Sequence, residues 1–269
     1  MGVVNVTPDS FSDGGRWLDA GPAVAHGLEL VADGADLLDV GGESTRPGAE
    51  PVPAGEERRR VVPVIERLVA ESGVPVSIDT TKAEVAAAAI EAGAAIVNDV
   101  SAARLDPPIL EVVAGAGAGY VAMHMHGEPR TMQDDPRYDD VVGEVGDFLV
   151  ERLAVARAAG VDDRALAADP GIGFGKTVRH NLELLARLDE LVARVEVPVL
   201  VGTSRKRFIG AVLGSDRRDL PADQREEGTL ATVVCALDRG ARVVRVHETR
   251  PAAHAVRLLD AMRTAEEAA

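Results

Sequence analysis

The chain has 29 basic residues, and only three of them are lysines. Each lysine follows a short apolar run: Lys82 in SIDTTK, Lys176 in DPGIGFGKT and Lys206 in TSRK. Where arginine serves nearly everywhere else, a lysine offers a compact ammonium that rotates on a flexible stem. Chance placement stays an open explanation for Lys82 and Lys176, whereas we interpret Lys206 as a functional residue.

The segment DPGIGFGKT contains a carboxylate, Asp169, and one aromatic residue, Phe174. Its GKT ending is similar to a phosphate-binding loop, but that pattern requires a glycine at position 170, where this chain has proline. The alternating glycines at 115–119 precede an apolar run instead of following one, so they are not a dinucleotide-binding fingerprint. The segment therefore indicates a strand-end carboxylate beneath a flexible loop, with an aromatic ring able to cover a flat ligand.

Arg245 and His247 belong to the last apolar run, RVVRVH. Residues two apart on a strand point their side chains to the same face. Together with the amides near Thr249 they would suit a diphosphate, and parallel barrels often bind phosphate after their last two strands. A structural salt bridge is the alternative interpretation of these residues, and we favour the anion site.

Eight apolar runs in all end at polar or charged residues. The residues are Asn5, Asp39, Asp79, Asn98 with Asp99, His124, Asp169, Lys206, and Arg245 with His247. Such continuous apolar runs are typical of strands buried on both faces, and alanine-rich stretches of helical period separate them. Eight units in 269 residues predict one α/β domain, residues 1–269, folded as a (β/α)8 TIM barrel. That fold keeps its chemistry at the carboxyl ends of its strands, so the sequence predicts an enzyme.

The first two loops that follow strands are long and polar. NVTPDSFSDGG exceeds the roughly 2–6 residues common in such connections, and GGESTRPG has an arginine at its tip. Either loop alone would usually be a solvated surface loop. Because both follow adjacent strands on the catalytic face, we expect them to cover the site.

Composition excludes several classes of protein. The net charge of −15 argues against a nucleic-acid-binding surface, so an anionic ligand needs a local basic cluster. Cys235 is the only cysteine, which suits a reducing cytoplasm and excludes a disulfide framework. No apolar stretch approaches the roughly 18 residues of a membrane span, and no signal peptide is expected.

Seven segments together resemble the signature segments of the dihydropteroate synthase family. They run in order from Asn5 to His247 and are NVTPDSFSDGG, GGESTRPG, SIDT, NDVS, DPGIGFGKT, SRKRFIG and RVHE. The resemblance implies an enzyme of folate biosynthesis that joins 6-hydroxymethyl-7,8-dihydropterin diphosphate to 4-aminobenzoate. Diphosphate and 7,8-dihydropteroate would be released.

The resemblance also implies a pterin subsite. Its residues would be Asp79, Asn98, Met123, Asp169, Phe174 and Lys206. Asp169 would accept two hydrogen bonds from the ring edge beside Asn98, and Lys206 would donate to the ring oxygen and nitrogen. Asp79 would stabilise positive charge that develops at the methylene carbon, while the methionine and the phenylalanine would pack on the ring faces.

In the same way, Asn5, Arg245 and His247 would hold the diphosphate, with Asn5 also binding Mg²⁺ through its side-chain oxygen. In the family mechanism diphosphate leaves first and the arylamine then attacks a pterin cation, so no strong protein base is required. The residues expected to act in catalysis are Asp13, Asp79, Lys206, Arg245 and His247.

The implied aminobenzoate subsite combines the first two loops with the helix that follows the seventh strand. Its residues would be Phe11, Thr45, Arg46, Pro47 and Arg207, with Asp13 brought in by loop closure. Many relatives have serine where this chain has Arg207. Its guanidinium either pairs with the aminobenzoate carboxylate or points away and leaves the helix N-terminus to bind it.

Two alternatives stay open at this point. A corrinoid methyltransferase that uses methyltetrahydrofolate has a related pterin-binding barrel but no use for a diphosphate site. A catalytically silent paralogue would bind pterin without condensing it, although degraded first and second loops would then be expected. The resemblance further implies a homodimer, a cytoplasmic location and inhibition by sulfonamides, which mimic aminobenzoate.

Overall fold

The structure is a computed structural model that describes residues 1–6, 20–44, 50–127, 131–215 and 218–267. Six parallel strands pair in sequence order, each with the next. They are β1 (Gly2–Asn5), β2 (Leu38–Gly41), β3 (Val76–Asp79), β4 (Ile96–Asp99), β5 (Gly119–Met123) and β6 (Leu166–Asp169). Because all neighbours are parallel, their carboxyl ends lie at one edge.

Two further strands, β7 (Leu200–Val201) and β8 (Val243–Val244), pair in parallel with each other. Single parallel bridges connect this pair to the six-stranded sheet on both sides, Ala168 with Val199 and Gly2 with Val246. The eight strands therefore close into a ring. This confirms the predicted (β/α)8 barrel.

At least one α-helix follows each strand in the described part of the chain. The helices are α1 (Ala20–Ala32), α2 (Ala54–Glu71), α3 (Ala83–Glu91), α4 (Ile109–Ala116), α5 (Val141–Ala158), α6 (Val178–Ala186), α7 (Leu188–Val195), α8 (Arg207–Leu213), α9 (Glu226–Asp238) and α10 (Thr249–Glu267). Each packs an apolar face on the barrel; in α3 the fully buried residues are Val85, Ala86 and Ala89. Among these helices none is both long and apolar enough to cross a bilayer.

One stretch of continuous helical period, NLELLARLDELVARV, forms two helices instead of one. The break between α6 and α7 is at Arg187, whose φ is −117° and ψ is 30°. Its guanidinium contacts Glu183 and Glu190 on either side and Asp140 at the start of α5. The leucines on both sides of the break stay buried at helical spacing, so periodicity alone does not reveal it.

The strands bring the predicted polar residues to one end of the barrel. Asp79 is the last residue of β3, Asp169 is the last of β6, and Asn98 is the last but one of β4. Arg245 follows the end of β8 directly. Buried apolar side chains fill the strands below them, which leaves this end as the place where charged groups gather.

Candidate active site

Arg245 lies between two carboxylates at the carboxyl end of the barrel. Its Nε donates to Oδ2 of Asp39 at 2.6 Å, and a terminal nitrogen donates to Oδ2 of Asp79 at 2.9 Å. Asp39 is fully buried, and the same Oδ2 accepts from Nδ2 of Asn98 at 3.1 Å. We call these four residues the arginine cluster. Three adjacent strands and the end of β8 therefore converge on one guanidinium.

Two buried acceptors of the arginine cluster, Oδ1 of Asn98 and Oδ1 of Asp39, have no hydrogen-bond partner within the described ranges. Leaving a buried acceptor unsatisfied costs about 1–3 kcal/mol. A ligand that presents N–H groups would supply the missing donors. The cluster is therefore suited to a ring edge that donates hydrogen bonds.

The pKa values of Asp79 and Arg245 in this cluster differ from their values in water. It raises the pKa of Asp79 to about 7, against the opposing effect of Arg245. For Arg245 itself, burial works to lower the pKa, but the charges of Asp39 and Asp79 outweigh burial and raise it. The guanidinium therefore stays charged, while the carboxyl group of Asp79 titrates near neutrality.

Arg245 forms a structural salt bridge, which from the sequence was the less favoured alternative to an anion site. The buried carboxylate of Asp39, in β2, requires a counterion. β8 closes the barrel against β1, and β1 pairs with β2 on its other side, which places Arg245 within reach of Asp39. The salt bridge does not use up the guanidinium. Asp39 and Asp79 engage two of its five N–H groups, which leaves donors for an anion.

A second cluster, which we call the ring cluster, consists of Asp169, Lys206, Phe174 and Met123. The ammonium of Lys206 lies 4.8 Å from the centroid of the Phe174 ring and donates to the carbonyl of Ile172. Met123 is buried in a small apolar group with Phe174 that also contains Val100, Met125 and Met132. A polarisable methionine and an aromatic ring beside charged groups suit a flat heteroaromatic ligand.

Of the charged members of the ring cluster, Asp169 is buried and Lys206 is partly buried. Burial raises the pKa of Asp169, although Lys206 opposes the shift. Burial lowers the pKa of Lys206 to about 8, and here Asp169 opposes it. Gly202 lies between the two clusters, because a Cβ there would be 3.7 Å from Cβ of Arg245 and 3.9 Å from Nζ of Lys206. The arginine and ring clusters thus adjoin each other.

Asn5 and His247 lie at the same end of neighbouring strands. Asn5 ends β1 with an exposed side chain. Nδ1 of His247 lies 2.9 Å from Oγ of Ser204, which also accepts from the His247 backbone N–H at 3.2 Å. Ser204 was not among the predicted site residues; its place in the SRK segment after β7 was the available signal.

Arg207 takes the second of the two orientations expected from the sequence. It is the first residue of α8, its side chain is 86% exposed, and its Nε donates to Oδ2 of Asp219 at 2.8 Å. The guanidinium is therefore paired on the surface.

Five predicted site residues lie outside the described residues. They are Phe11, Asp13, Thr45, Arg46 and Pro47. Asp39, by contrast, was noted as a strand-end residue and given no role, although a carboxylate inside an apolar run is the signal of a buried, paired charge.

Few of the described side chains at this end of the barrel could bind Mg²⁺ directly. No group of three or more His, Cys, Asp or Glu residues that could hold a metal ion occurs within the described ranges. Asn5 offers one neutral amide oxygen at the barrel end. Mg²⁺ usually keeps several waters and binds through few protein oxygens plus substrate phosphates. The residues therefore fit an ion that a diphosphate substrate brings with it.

Comparison with known proteins identifies the family of this chain. The model of the pterin binding enzyme family matches residues 1–247. The dihydropteroate synthase of Mycobacterium leprae is 49% identical over 263 residues, 97% of this chain and 92% of the relative. Two Xanthomonas albilineans dihydropteroate synthase structures, each covering 97% of this chain and 92% of that chain, have similar folds. The one with 4-aminobenzoic acid has a TM-score of 0.89 at 51% identity, and the one with 7,8-dihydropteroate has 0.86 at 48%. The chain belongs to the dihydropteroate synthase family of pterin-binding enzymes.

Proposed function

We propose that the arginine and ring clusters together form the active site of dihydropteroate synthesis. The enzyme joins 6-hydroxymethyl-7,8-dihydropterin diphosphate to 4-aminobenzoate and releases diphosphate and 7,8-dihydropteroate. One observation supports the assignment above all. A permanently charged guanidinium, Arg245, adjoins a buried carboxylate, Asp169, and an ammonium, Lys206, at the catalytic end of the barrel. This combination accommodates an uncharged polar ring and an anionic leaving group side by side.

The ring cluster, together with Asn98 of the arginine cluster, would hold the pterin. The carboxylate of Asp169 accepts from the ring N–H and amino group, and Oδ1 of Asn98 is a buried acceptor with no partner among the described residues. Lys206 would exchange its hydrogen bond to the Ile172 carbonyl for the ring oxygen and nitrogen. Because Asp169 is buried and Lys206 is partly buried, their hydrogen bonds to the ring are stronger than in water.

The arginine cluster would act on the bond that breaks. The bond between the methylene carbon and the diphosphate oxygen breaks with both electrons leaving on the diphosphate. Arg245, with His247, stabilises the departing anion, while the carboxylate of Asp79 stabilises the cation left on the pterin. The arylamine nitrogen then bonds to the methylene carbon and loses a proton to solvent. Positioning and charge stabilisation are the protein's contribution to the rate.

We propose that Mg²⁺ is carried by the diphosphate and contacts the protein through the side-chain oxygen of Asn5. Bound there, the ion would neutralise part of the charge that develops on the leaving group. The exposed position of Asn5 at the end of β1 supports this role, because the ion must arrive with its substrate.

We further propose a homodimer, which the exposed apolar residues of the last helices support. In α10 the side chains of Leu258 and Met262 are 64% and 54% exposed, and in α8 those of Val212 and Leu213 are 53% and 50% exposed. A second copy would cover them. Sedimentation of the wild type and of Leu258→Glu tests this, since the substitution should shift a dimer towards monomer. The cytoplasmic location stays a prediction from composition.

An assay of the purified protein with both substrates, with and without Mg²⁺, tests the function. We expect 7,8-dihydropteroate to form and the rate to fall when the ion is chelated, and sulfonamides to compete with 4-aminobenzoate. A silent pterin-binding paralogue would bind the pterin in calorimetry and form no product. A corrinoid methyltransferase would instead transfer a methyl group from methyltetrahydrofolate.

Asp169→Asn tests the proposed pterin subsite. The amide turns an N–H group towards a ring donor, and a buried mismatch at a charged acceptor costs about 1–3 kcal/mol or more. Pterin affinity should then fall by about tenfold or more. Unchanged affinity in calorimetry would remove Asp169 from the site.

A further inference from the structure

In the loop after β6, every backbone carbonyl from residue 171 to residue 175 accepts a hydrogen bond from a side chain. The donors are Lys176 to Gly171 and Phe174, Lys206 to Ile172, Gln133 to Gly173, and Tyr138 to Gly175. Loop carbonyls usually face water. We call residues 171–175 the clamped loop, because side chains that do not belong to it bind its backbone at each position.

Lys176 provides two of these hydrogen bonds from inside the protein. Only 3% of the residue is exposed, and its Nζ lies 3.0 Å from both the Gly171 and the Phe174 oxygens. Its third contact is Nδ1 of His124 at 2.8 Å. Burial lowers the pKa of Lys176 well below its ordinary value, although the charge of Asp169 opposes the shift. In its charged form the group has three N–H donors, and these three acceptors match them. No carboxylate is among its hydrogen-bond partners in the described part of the chain.

The imidazole of His124, which contacts the Lys176 ammonium, is itself held in place by its neighbours. Its ring packs edge-on against Phe148 with centroids 4.8 Å apart, and its backbone N–H donates to the Asp169 carbonyl at 3.0 Å. Burial, followed by the charge of Lys176, lowers the pKa of His124 to about 2, so the ring is neutral. Nδ1 can then accept from the ammonium while Nε2 carries the ring proton.

The two carbonyls held by Lys176 lie at the ends of a tight turn. The N–H of Phe174 donates to the Gly171 carbonyl at 3.0 Å, and the N–H of Gly171 donates to Oδ1 of Asp169 at 2.7 Å. Gly171 has a φ of +65°, and a Cβ there would lie 1.8 Å from the His124 carbonyl oxygen. The turn thus sits against the end of β5 with no room for a side chain at Gly171, and it connects the Asp169 carboxylate to the Phe174 ring.

We propose that Lys176, whose ammonium contacts His124, is a positioning residue for the pterin subsite. Its ammonium holds the turn from Gly171 to Phe174 and so sets the carboxylate of Asp169 and the ring of Phe174 at the spacing that a pterin requires. Lys176 does not touch the substrate itself. The inference rests on the proposed function, because that function assigns Asp169 and Phe174 to the pterin.

Lys176→Met tests the proposal, because methionine has a similar length and no donor. We expect KM for the pterin diphosphate to rise by about tenfold or more, since two carbonyls lose a charged donor. KM for 4-aminobenzoate at saturating pterin should change by less than about threefold, because its subsite is built elsewhere. Amide hydrogen exchange should accelerate in the clamped loop and not in β2–β4.

Two substitutions of His124 distinguish positioning from simple packing. His124→Asn keeps an acceptor close to the place of Nδ1, whereas His124→Leu keeps an apolar side chain and removes the acceptor. Both lose the packing of the imidazole on Phe148. If Lys176 acts through its donors, His124→Asn should bind pterin better than His124→Leu by about fivefold or more.

Lys82→Met is the matched control, because Lys82 is a partly buried lysine that contacts Glu43 and Glu57 and not the clamped loop. It should lower stability and leave pterin affinity within about twofold of the wild type. Folded Lys176→Met protein with wild-type pterin affinity would overturn the proposal. If that variant does not fold, equal affinities of the two His124 variants would overturn it instead. A wild-type protein that binds no pterin would overturn the proposed function as well, which separates the two failures.

Discussion

Arg245 donates to two carboxylates, while Lys206 lies over an aromatic ring and donates to a carbonyl. At the scale of residues, the two cations of the site are therefore held by different means. The guanidinium is fixed by its counterions, since Asp39 is fully buried and accepts from it. Among the described residues the ammonium has no such ion pair, and it can exchange the Ile172 carbonyl for a ligand. Arg245 thus suits a fixed anion site, and Lys206 suits a ring that must enter and leave.

Arg245→Ala should affect both turnover and stability. Loss of charge-assisted hydrogen bonds to the leaving diphosphate should lower kcat by about two orders of magnitude or more. The free energy of unfolding should also fall, by about 3–5 kcal/mol if Asp39 is left buried without its counterion. Steady-state kinetics and urea denaturation measure the two effects. Affinity for a pterin that lacks the diphosphate should change much less, and an equal loss would contradict the assignment.

The pH dependence of kcat/KM for the pterin diphosphate should be bell-shaped. Burial raises the pKa of Asp79 to about 7 and lowers that of Lys206 to about 8. If the reaction needs the carboxylate and the ammonium, kcat/KM should be highest between these values and fall on both sides. Lys206→Arg should extend activity to higher pH, because a guanidinium stays charged. The free ligand's own ionisation, followed by absorbance, is the control.

The same two shifts have opposite consequences for stability. The folded pKa of Asp79 lies above its ordinary value of 3.8, so its stabilising contribution is present at low pH and is lost as pH rises through about 7. The folded pKa of Lys206 lies below 10.5, so its contribution is present at high pH and is lost as pH falls through about 8. The charged forms that the chemistry uses are the forms that destabilise the fold.

At the scale of elements, a partly buried ion cluster connects the second loop with two helices. Lys82, which precedes α3, contacts Glu43 at the start of that loop and lies 2.6 Å from Glu57 of α2. Glu43 also accepts from the N–H of Val52 at 3.1 Å. Burial raises the pKa of Glu57, although Lys82 opposes the shift. Lys82, whose function the sequence left open, thus holds the base of the loop.

Lys82→Met should destabilise the protein by about 3–5 kcal/mol at neutral pH, because a fully buried glutamate loses its counterion. The raised pKa of Glu57 means that its protonated form is favoured in the fold. The loss should therefore shrink as pH falls and Glu57 becomes neutral. Urea denaturation at several pH values measures this. A loss that stays constant with pH would exclude Glu57 as its cause.

At the scale of the whole molecule, the barrel is bonded unevenly. The ladder between β1 and β2 pairs four residues, whereas β7 and β8 have two residues each and are connected to their outer neighbours by single bridges. This weakly bonded part carries Lys206 and Arg245. Two of the residues proposed to bind the substrate are therefore located where local opening costs least.

Hydrogen exchange should reveal this difference. Amides of β7 and β8 should exchange faster than those of β2–β4 in the free protein, because fewer ladder bonds must open. Pterin diphosphate with Mg²⁺ should slow exchange at β7 and β8 more than elsewhere, because it ties Lys206 and Arg245 together. Mass spectrometry of peptides covering 196–206 and 240–248 measures both effects. Uniform exchange around the barrel would contradict the expectation.

The sequence by itself determined the alternation of strands and helices, the barrel, and the position of several candidate site residues at one end of it. These features depend on local information, because burial on both faces makes a strand apolar until it ends at a polar residue. Asp79, Asn98 and Asp169 could be found in this way. The seven ordered motifs identified the family for the same reason, since each motif is a contiguous segment.

Only the tertiary structure decided which side chains pair with one another. Arg245 contacts Asp39 across 206 positions of the chain, Lys176 meets His124 across 52, and Arg207 turns to Asp219. These pairings arise when the ring of strands closes and buried charges have to find partners, which no local pattern records. Whether a strand-end residue binds a ligand, a counterion or a loop carbonyl is therefore set by what the closed barrel places beside it.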